Sequence, residues 1–187
     1  MSTKYTLLRE ILITLLMAAV VYFGLNFSLQ SAVVIGQSME PNLHDGERVL
    51  ISKLAYRFGG EPKRGDVIVF TPPKRLGATG GYVKRVIGLP GERVEINNGS
   101  VYIHQTDGTR ILLDESAYLN VTIIGNYISG VIPKGEYFVM GDNRNNSGDS
   151  RSGWTVPKSD IIGRTWVVIW PPSKWGLAPN HKVGVRE

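Results

Sequence analysis

The chain of 187 residues contains no cysteine, which excludes both a disulfide framework and a thiolate metal site. Histidine is scarce, and the three histidines do not show the paired spacing of a zinc site: they are His44, His104 and His181. Dense basic runs and aromatic–basic arrays are also missing, so the net charge of +5 is scattered over the chain. We therefore expect no zinc or thiolate-bound metal and no nucleic-acid partner.

Only one long apolar segment is present, since residues 11–27 carry no charge. With Leu7 and Leu8 added, this segment is long enough to cross the hydrocarbon core of a bilayer. The sequence therefore predicts a transmembrane helix over residues 7–27, after a short tail at residues 1–6. The alternative is a cleaved signal peptide, which has a shorter apolar core followed by small residues. Residues 23–28, Phe-Gly-Leu-Asn-Phe-Ser, are a poor match to such a cleavage site.

The charges near the N-terminus predict the orientation of this helix. Lys4 and Arg9 are basic, and basic residues favour the cytoplasmic side of a membrane. We expect a single-pass protein of the cell membrane, with a cytoplasmic N-terminus and an extracytoplasmic domain at residues 28–187. A thylakoid membrane is the alternative location. The lipid bilayer is a partner in either case, and we expect a monomer.

Residues 28–187 have the pattern of a mainly β, antiparallel domain. Runs rich in β-branched and aromatic residues recur between turn residues: they are 48–52, 66–70, 82–87, 137–140 and 165–170. The clearest hairpin is 93–103, in which Asn98-Gly99 supplies the positive φ angles of a tight turn. A change in character near Glu92 predicts a small β insertion at residues 93–133, after which the chain returns to the main sheet.

Two residues in the β domain suggest covalent chemistry. Ser38 follows the apolar segment, in a turn marked by Gly36 and Pro41. Lys84 lies in the run 82–87, between apolar neighbours on one strand face. Burial lowers the pKa of a lysine, and a neutral amine can activate a serine. From these residues alone, an ordinary loop serine and a lysine on a solvated face are the alternatives.

A third polar segment, residues 141–151, follows an apolar run. Five of its residues could form ion pairs or orient a catalytic group: Asp142, Arg144, Ser147, Asp149 and Arg151. An EF-hand calcium loop does not fit, because oxygen ligands and the central glycine do not fall at the required positions. A solvated loop is another alternative. We favour a self-bonded platform, in which either aspartate pairs with either arginine and the serine orients the lysine.

Together these segments resemble the type I signal peptidases, the serine–lysine membrane proteases of the S26 family. The resemblance covers most of the chain after the apolar segment. It consists of four segments in the expected order: 37–43, 64–70, 82–92 and 141–151. The resemblance implies an antiparallel β catalytic domain with a smaller β insertion. It also implies cleavage of signal peptides from exported preproteins, after small residues and without a cofactor.

The resemblance gives each matching residue a role. Ser38 would be the nucleophile that forms an acyl-enzyme, Lys84 the general base, and Ser147 the residue that orients the lysine amine. The loop around Ser147 would be supported by charged residues: Asp142, Asp149 and Arg151. The pockets for small substrate side chains would be lined by apolar residues: Val34, Met39, Leu43 and Val83.

The position two residues before the nucleophile is occupied by Gly36. Some family members have a serine there, whose hydroxyl helps to form the oxyanion hole, and others have glycine. Because glycine offers no hydroxyl, we expect the hole in this chain to depend on the backbone N–H of Ser38.

Three other classes of protein compete with this interpretation. A self-cleaving serine–lysine repressor protease carries a DNA-binding domain, for which this chain has no room. A Ser–His–Asp hydrolase would place a Gly-x-Ser-x-Gly elbow around its nucleophile, and Ser38 lacks one. A membrane-anchored β binding module would have no reactive serine. The combined motifs favour signal peptidase I.

Overall fold

A computed structural model describes residues 3–77, 80–181 and 183–186 of the chain. It begins with a long helix, α1 (Thr3–Ser28). Within α1, the 22 residues of Leu7–Ser28 have a mean hydropathy of 2.1 and are not buried against the rest of the protein. At about 1.5 Å per residue this stretch is about 33 Å long, which matches a bilayer core. The predicted apolar helix is therefore present, with the length and composition needed to cross a membrane.

The described residues after α1 form strands and short 3₁₀ helices. The strands are β1 (Leu29–Val33), β2 (Arg48–Ser52), β3 (Val67–Phe70), β4 (Tyr82–Gly88), β5 (Arg93–Asn97), β6 (Ser100–His104), β7 (Arg110–Asp114), β8 (Tyr127–Ile128), β9 (Glu136–Met140), β10 (Val156–Pro157), β11 (Ile161–Trp170), β12 (Gly176–Leu177) and β13 (Gly184–Arg186). The 3₁₀ helices are Lys74–Leu76, Ser150–Ser152, Lys158–Asp160 and Pro172–Lys174.

The larger sheet has the strand order β1-β2-β11-β3-β4-β9-β10, with β12 paired to β11. All of its pairings are antiparallel. Strand β2 alternates between more exposed and buried residues, so one of its faces packs on the core. The central strand β3 is buried on both faces. The prediction of a mainly β, antiparallel domain is therefore confirmed.

The smaller sheet has the order β13-β7-β6-β5-β8. Its β5–β6 hairpin confirms the prediction for residues 93–103, with Asn98 at φ 49° and Gly99 at φ 78° in the turn. Strand β13 was not predicted. It comes from the C-terminal segment and pairs with β7, because β7 offers an edge that β6 does not occupy. The predicted insertion thus supplies four of the five strands in this sheet.

A buried apolar cluster fixes the segment that carries Ser38. Met39 is 1% exposed and Leu43 is fully buried, and both belong to one cluster with Val49 and Val83. Full burial of one such side chain contributes about 1.5–3 kcal/mol relative to leaving it in water. The backbone beside Ser38 is therefore anchored to the same core that covers one face of β4.

Candidate active site

Ser38 and Lys84 meet in the folded chain. Lys84 Nζ lies 2.6 Å from Ser38 Oγ, which is hydrogen-bond distance. Ser38 is in the turn after β1, and Lys84 is on β4, so the contact joins positions 46 residues apart. A serine hydroxyl and a lysine amine at this distance can exchange a proton directly.

The environment of Lys84 makes its neutral form easier to reach than it is in water. The side chain is only 5% exposed, and its Nζ is 5.5 Å from the centre of the Tyr82 ring on the same strand face. Burial lowers the pKa of Lys84 from 10.5 to about 8, while the negative charges of Asp149 and Asp142 act in the opposite direction. The amine can therefore accept a proton near neutral pH.

The next residue of β4, Arg85, lies on the opposite face of the strand and is buried as well. Arg85 is fully buried and donates two hydrogen bonds to Asp142, at 2.7 Å from Nε and 2.6 Å from Nη2. Its guanidinium also lies 4.0 Å over the ring of Tyr118. Removing one partner of a buried ion pair typically costs about 3–5 kcal/mol, because the other charge is left unpaired. This pair fixes β4 to the start of the segment 141–151.

A second ion pair lies within the segment 141–151. Asp149 is fully buried and accepts hydrogen bonds from Arg151 Nε and Nη2, both at 2.8 Å. The same carboxylate accepts the backbone N–H of Gly141 at 3.0 Å. Arg144, which the sequence left free to pair with either aspartate, instead binds Glu115 with two hydrogen bonds. The segment is therefore a self-bonded platform tied to the smaller β unit.

Ser147 lies on this platform, but its hydroxyl makes no hydrogen bond among the described residues. The expected bond between Ser147 and Lys84 is thus absent here, where the lysine amine contacts the hydroxyl of Ser38. Ser147 packs against Gly141. A Cβ on Gly141 would lie 2.3 Å from Ser147 Oγ and 2.4 Å from the carbonyl oxygen of Ser38.

Two asparagines that sequence reasoning missed hold the nucleophile turn against the platform. The backbone N–H of Asn143 donates to the Ser38 carbonyl at 3.0 Å, and its side chain donates to the Gln37 carbonyl at 3.1 Å. Asn42 donates to Asp142 Oδ2 at 2.9 Å. The only sequence signal for these contacts is the presence of polar residues in both segments, which does not indicate which of them pair.

Asp45 is a further residue that the sequence did not single out. Its carboxylate accepts the backbone N–H of Gly36 at 2.7 Å, at a point where Gly36 has a φ of 83°. The bond continues the pairing in which Val34 N–H donates to Glu47 and Gly46 N–H donates to Val34. Asp45 therefore ends this ladder and sets the turn toward Ser38. The N–H of Gly36 is therefore occupied by Asp45, whereas the N–H of Ser38 donates to no acceptor among the described residues.

An open cleft of about 780 Å³ surrounds Ser38 and Lys84. Three of the predicted pocket residues line it: Val34, Met39 and Val83. Leu43 is fully buried in the same apolar cluster as Met39 and does not line the cleft, so its pocket role stays a prediction. Among residues 3–77, 80–181 and 183–186, no three histidine or acidic side chains are grouped as a metal site would require.

Comparisons with known proteins show the family of this chain. The family model described as signal peptidase, peptidase S26, matches residues 7–170. A probable signal peptidase I-1 from Synechocystis sp. is 37% identical over 180 residues, covering 93% of this chain and 88% of that protein. Signal peptidase IB from Staphylococcus aureus is 36% identical over 195 residues, covering 93% and 96%. A crystal structure of a signal peptidase I from Enterococcus faecalis V583 is 31% identical, with a TM-score of 0.46, covering 56% of this chain and 96% of that one.

The matched region includes the apolar helix, the Ser38 turn, Lys84 and the segment 141–151. The fold and the family match together define a β-rich peptidase that begins with an apolar helix. The chain belongs to the signal peptidase family, peptidase S26.

The contact at Gly141 generates the first prediction. Gly141→Ala is expected to lower peptidase activity on a signal-peptide substrate by about 100-fold, because the new Cβ would displace Ser38 or Ser147 by a fraction of an ångström or more. Gly130→Ala is the control, since a Cβ there meets no atom within 4 Å. Equal activity in the two variants, measured in detergent on chains with matched melting temperatures, would contradict the tight packing.

Proposed function

We propose that this chain is a signal peptidase I, which cleaves signal peptides from exported preproteins through Ser38 as nucleophile and Lys84 as general base. The observation that carries the proposal is the 2.6 Å contact between Ser38 Oγ and a buried lysine amine. Family membership supports it, because relatives that are 36–37% identical to this chain are named signal peptidase IB and probable signal peptidase I-1. The contact lies in an open cleft, so an extended peptide can reach it.

The proposed reaction has two halves, formation of the acyl-enzyme and its hydrolysis, and each half includes two proton transfers. The neutral amine of Lys84 takes the proton of Ser38 as Oγ bonds to the scissile carbonyl carbon. The tetrahedral intermediate then breaks its C–N bond, and the lysine gives the proton to the leaving amine of the mature protein. In the second half, Lys84 takes a proton from water as the water attacks the ester. Collapse releases the signal-peptide carboxylate and returns the proton to Ser38.

Two free backbone edges support binding of the substrate as an added strand. Strand β9 pairs with β4 only from Arg85 onward, so no described strand occupies that edge of β4 at residues 82–84. On the other side of the cleft, the N–H and carbonyl of Val34 point to the segment that contains Glu47. By alternation, the polar backbone groups of Ile35 face the opposite way. An extended peptide between these edges would gain main-chain hydrogen bonds on both sides.

Shallow pockets beside these edges support a preference for small side chains. Val34 and Met39 are 2% and 1% exposed, and Val83 is 8% exposed, so each contributes a little apolar surface to the cleft wall. A side chain of the peptide that points at this wall meets closely packed core residues. Alanine fits such a site, whereas a large residue would have to displace them.

The two buried ion pairs, Arg85–Asp142 and Asp149–Arg151, form a charged frame that has a positioning role in this proposal. Asp142, Asp149 and Arg151 lie behind the dyad and hold Lys84 and the segment 141–151 in place. Ser147 has a buried hydroxyl without a partner among the described residues, so a new hydrogen bond to Lys84 would be favourable when the amine moves during the reaction. The Ser38 N–H is the proposed oxyanion donor, with Asp45 fixing the turn that presents it.

The apolar helix α1 would hold the cleft near the membrane in which its substrate is anchored. We place α1 across the cell membrane with residues 1–6 in the cytoplasm and residues 28–187 outside, as a catalytic domain with a small β insertion at 93–133. A thylakoid membrane is the alternative site. A preprotein held in the same bilayer by its own apolar signal would present its cleavage segment at the level where α1 ends. One chain supplies both members of the dyad, so a monomer suffices.

Substitution of the dyad tests this function. Ser38→Ala is expected to abolish processing of a preprotein in detergent, because no nucleophile remains. Lys84→Met is expected to lower kcat by at least about 10²–10⁴-fold, the contribution of a positioned base. Lys134→Met, an exposed lysine in a loop, is the matched control and should process normally. Normal processing by either dyad variant would contradict the assignment.

The pH dependence of the reaction is a separate prediction. Because the pKa of Lys84 is lowered to about 8, the neutral base increases as pH rises toward that value. We therefore expect kcat/KM to fall about tenfold for each unit below that pKa and to level off above it. The profile is measured on full-length chain with a preprotein substrate. A profile that stays level well into the acid range would exclude a lysine base.

A further inference from the structure

The end of α1 is fixed against a basic segment of the β domain. The backbone N–H of Lys53 donates to the Ser28 carbonyl at 2.9 Å, and Lys53 Nζ donates to the carbonyl of Asn26. The guanidinium of Arg57 lies 4.6 Å over the ring of Phe27. Two cations of the β domain therefore lie beside the last turn of the apolar helix.

These cations line a cavity of about 370 Å³, together with Tyr56, Lys158 and Ser159. Neither Lys53 nor Arg57 forms an ion pair with a carboxylate in the described part of the chain.

The acidic groups around this cavity already have partners. Glu61 pairs with Lys158, the Tyr56 hydroxyl donates to Asp66 at 2.8 Å, and Ser159 donates to Asp160 at 3.2 Å. The side of the cavity nearest α1 therefore has two positive charges without an acidic partner.

The residue after Arg57 is an exposed aromatic residue, which suits a position at a membrane surface. Phe58 is 80% exposed and directly follows Arg57. An exposed aromatic ring beside basic residues, at the end of an apolar helix, is typical of the boundary between acyl chains and headgroups. If α1 spans the bilayer, the cavity lies at the depth of the lipid phosphates, and Phe58 lies beside the acyl chains.

We propose that this cavity binds the phosphate of an anionic phospholipid headgroup, with Lys53 and Arg57 as its cationic ligands. The proposal rests on the membrane span that is part of the proposed function. A guanidinium matches two phosphate oxygens at once, and an ammonium adds a point charge. Because both residues also contact the end of α1, a bound lipid would join the helix to the β domain.

The test compares lipid retention by full-length chain purified in detergent, using native mass spectrometry with added phosphatidylglycerol or phosphatidylcholine. The wild-type chain is expected to retain phosphatidylglycerol in preference to phosphatidylcholine. The double variant Lys53→Gln/Arg57→Gln should bind phosphatidylglycerol about 30-fold more weakly, the factor expected for two cations near an anionic surface. The control Arg48→Gln/Lys134→Gln makes the same charge change at exposed positions outside the cavity.

A charge-conserving variant separates binding from misfolding. Lys53→Arg/Arg57→Lys keeps both positive charges and should retain phosphatidylglycerol nearly as well as wild type. Excess inorganic phosphate should not displace the lipid, since the proposed occupant is a headgroup held at the membrane. Equal retention by the glutamine variant, equal retention of phosphatidylcholine, or displacement by phosphate would each overturn the proposal. Because no cleavage is measured, these results are independent of whether Ser38 and Lys84 form the peptidase dyad.

Discussion

Removal of the Lys84 amine from water is the constraint on which the rest of the site depends. A hydrated lysine is protonated at neutral pH and cannot accept a proton from a serine. Here β4 is buried on both faces at Lys84 and Arg85, and burial lowers the pKa of the lysine to about 8. Asp149 and Asp142 oppose this effect, yet each is already paired with an arginine. The aspartates can therefore support the site without keeping the lysine fully protonated.

The charged frame and the reacting pair have separate tasks. The Arg85–Asp142 pair joins β4 to the segment 141–151, and Asn42 connects the nucleophile turn to the same carboxylate. None of these three side chains lines the cleft. A frame of this kind places Ser38 Oγ and Lys84 Nζ within 2.6 Å through contacts that a substrate does not disturb. The cleft itself is left to small apolar surfaces and free backbone edges.

Local patterns predicted the features that depend on neighbouring residues. The hairpin at 93–103 follows from Asn98-Gly99, and α1 follows from uninterrupted apolar composition. Alternation along β4 gave the face of Lys84, but it could not show that the face of Arg85 is buried as well. The β13–β7 pairing and the Arg144–Glu115 pair depend on contacts between distant segments, which no local pattern specifies. The pocket role of Leu43 was implied by the resemblance alone, and an apolar residue in that turn can equally well pack in the core, where Leu43 lies.

The proposed reaction depends on the protonation state of one amine. Its direct measurement is an NMR titration of lysine side chains, labelled with ¹³C at Cε, in full-length chain in detergent, with the Lys84 signal assigned from the Lys84→Met spectrum. If Lys84 is the general base, its amine is expected to titrate with a pKa of about 8. A pKa at the ordinary value of 10.5 would contradict it, because the amine would then be protonated when the serine has to lose its proton.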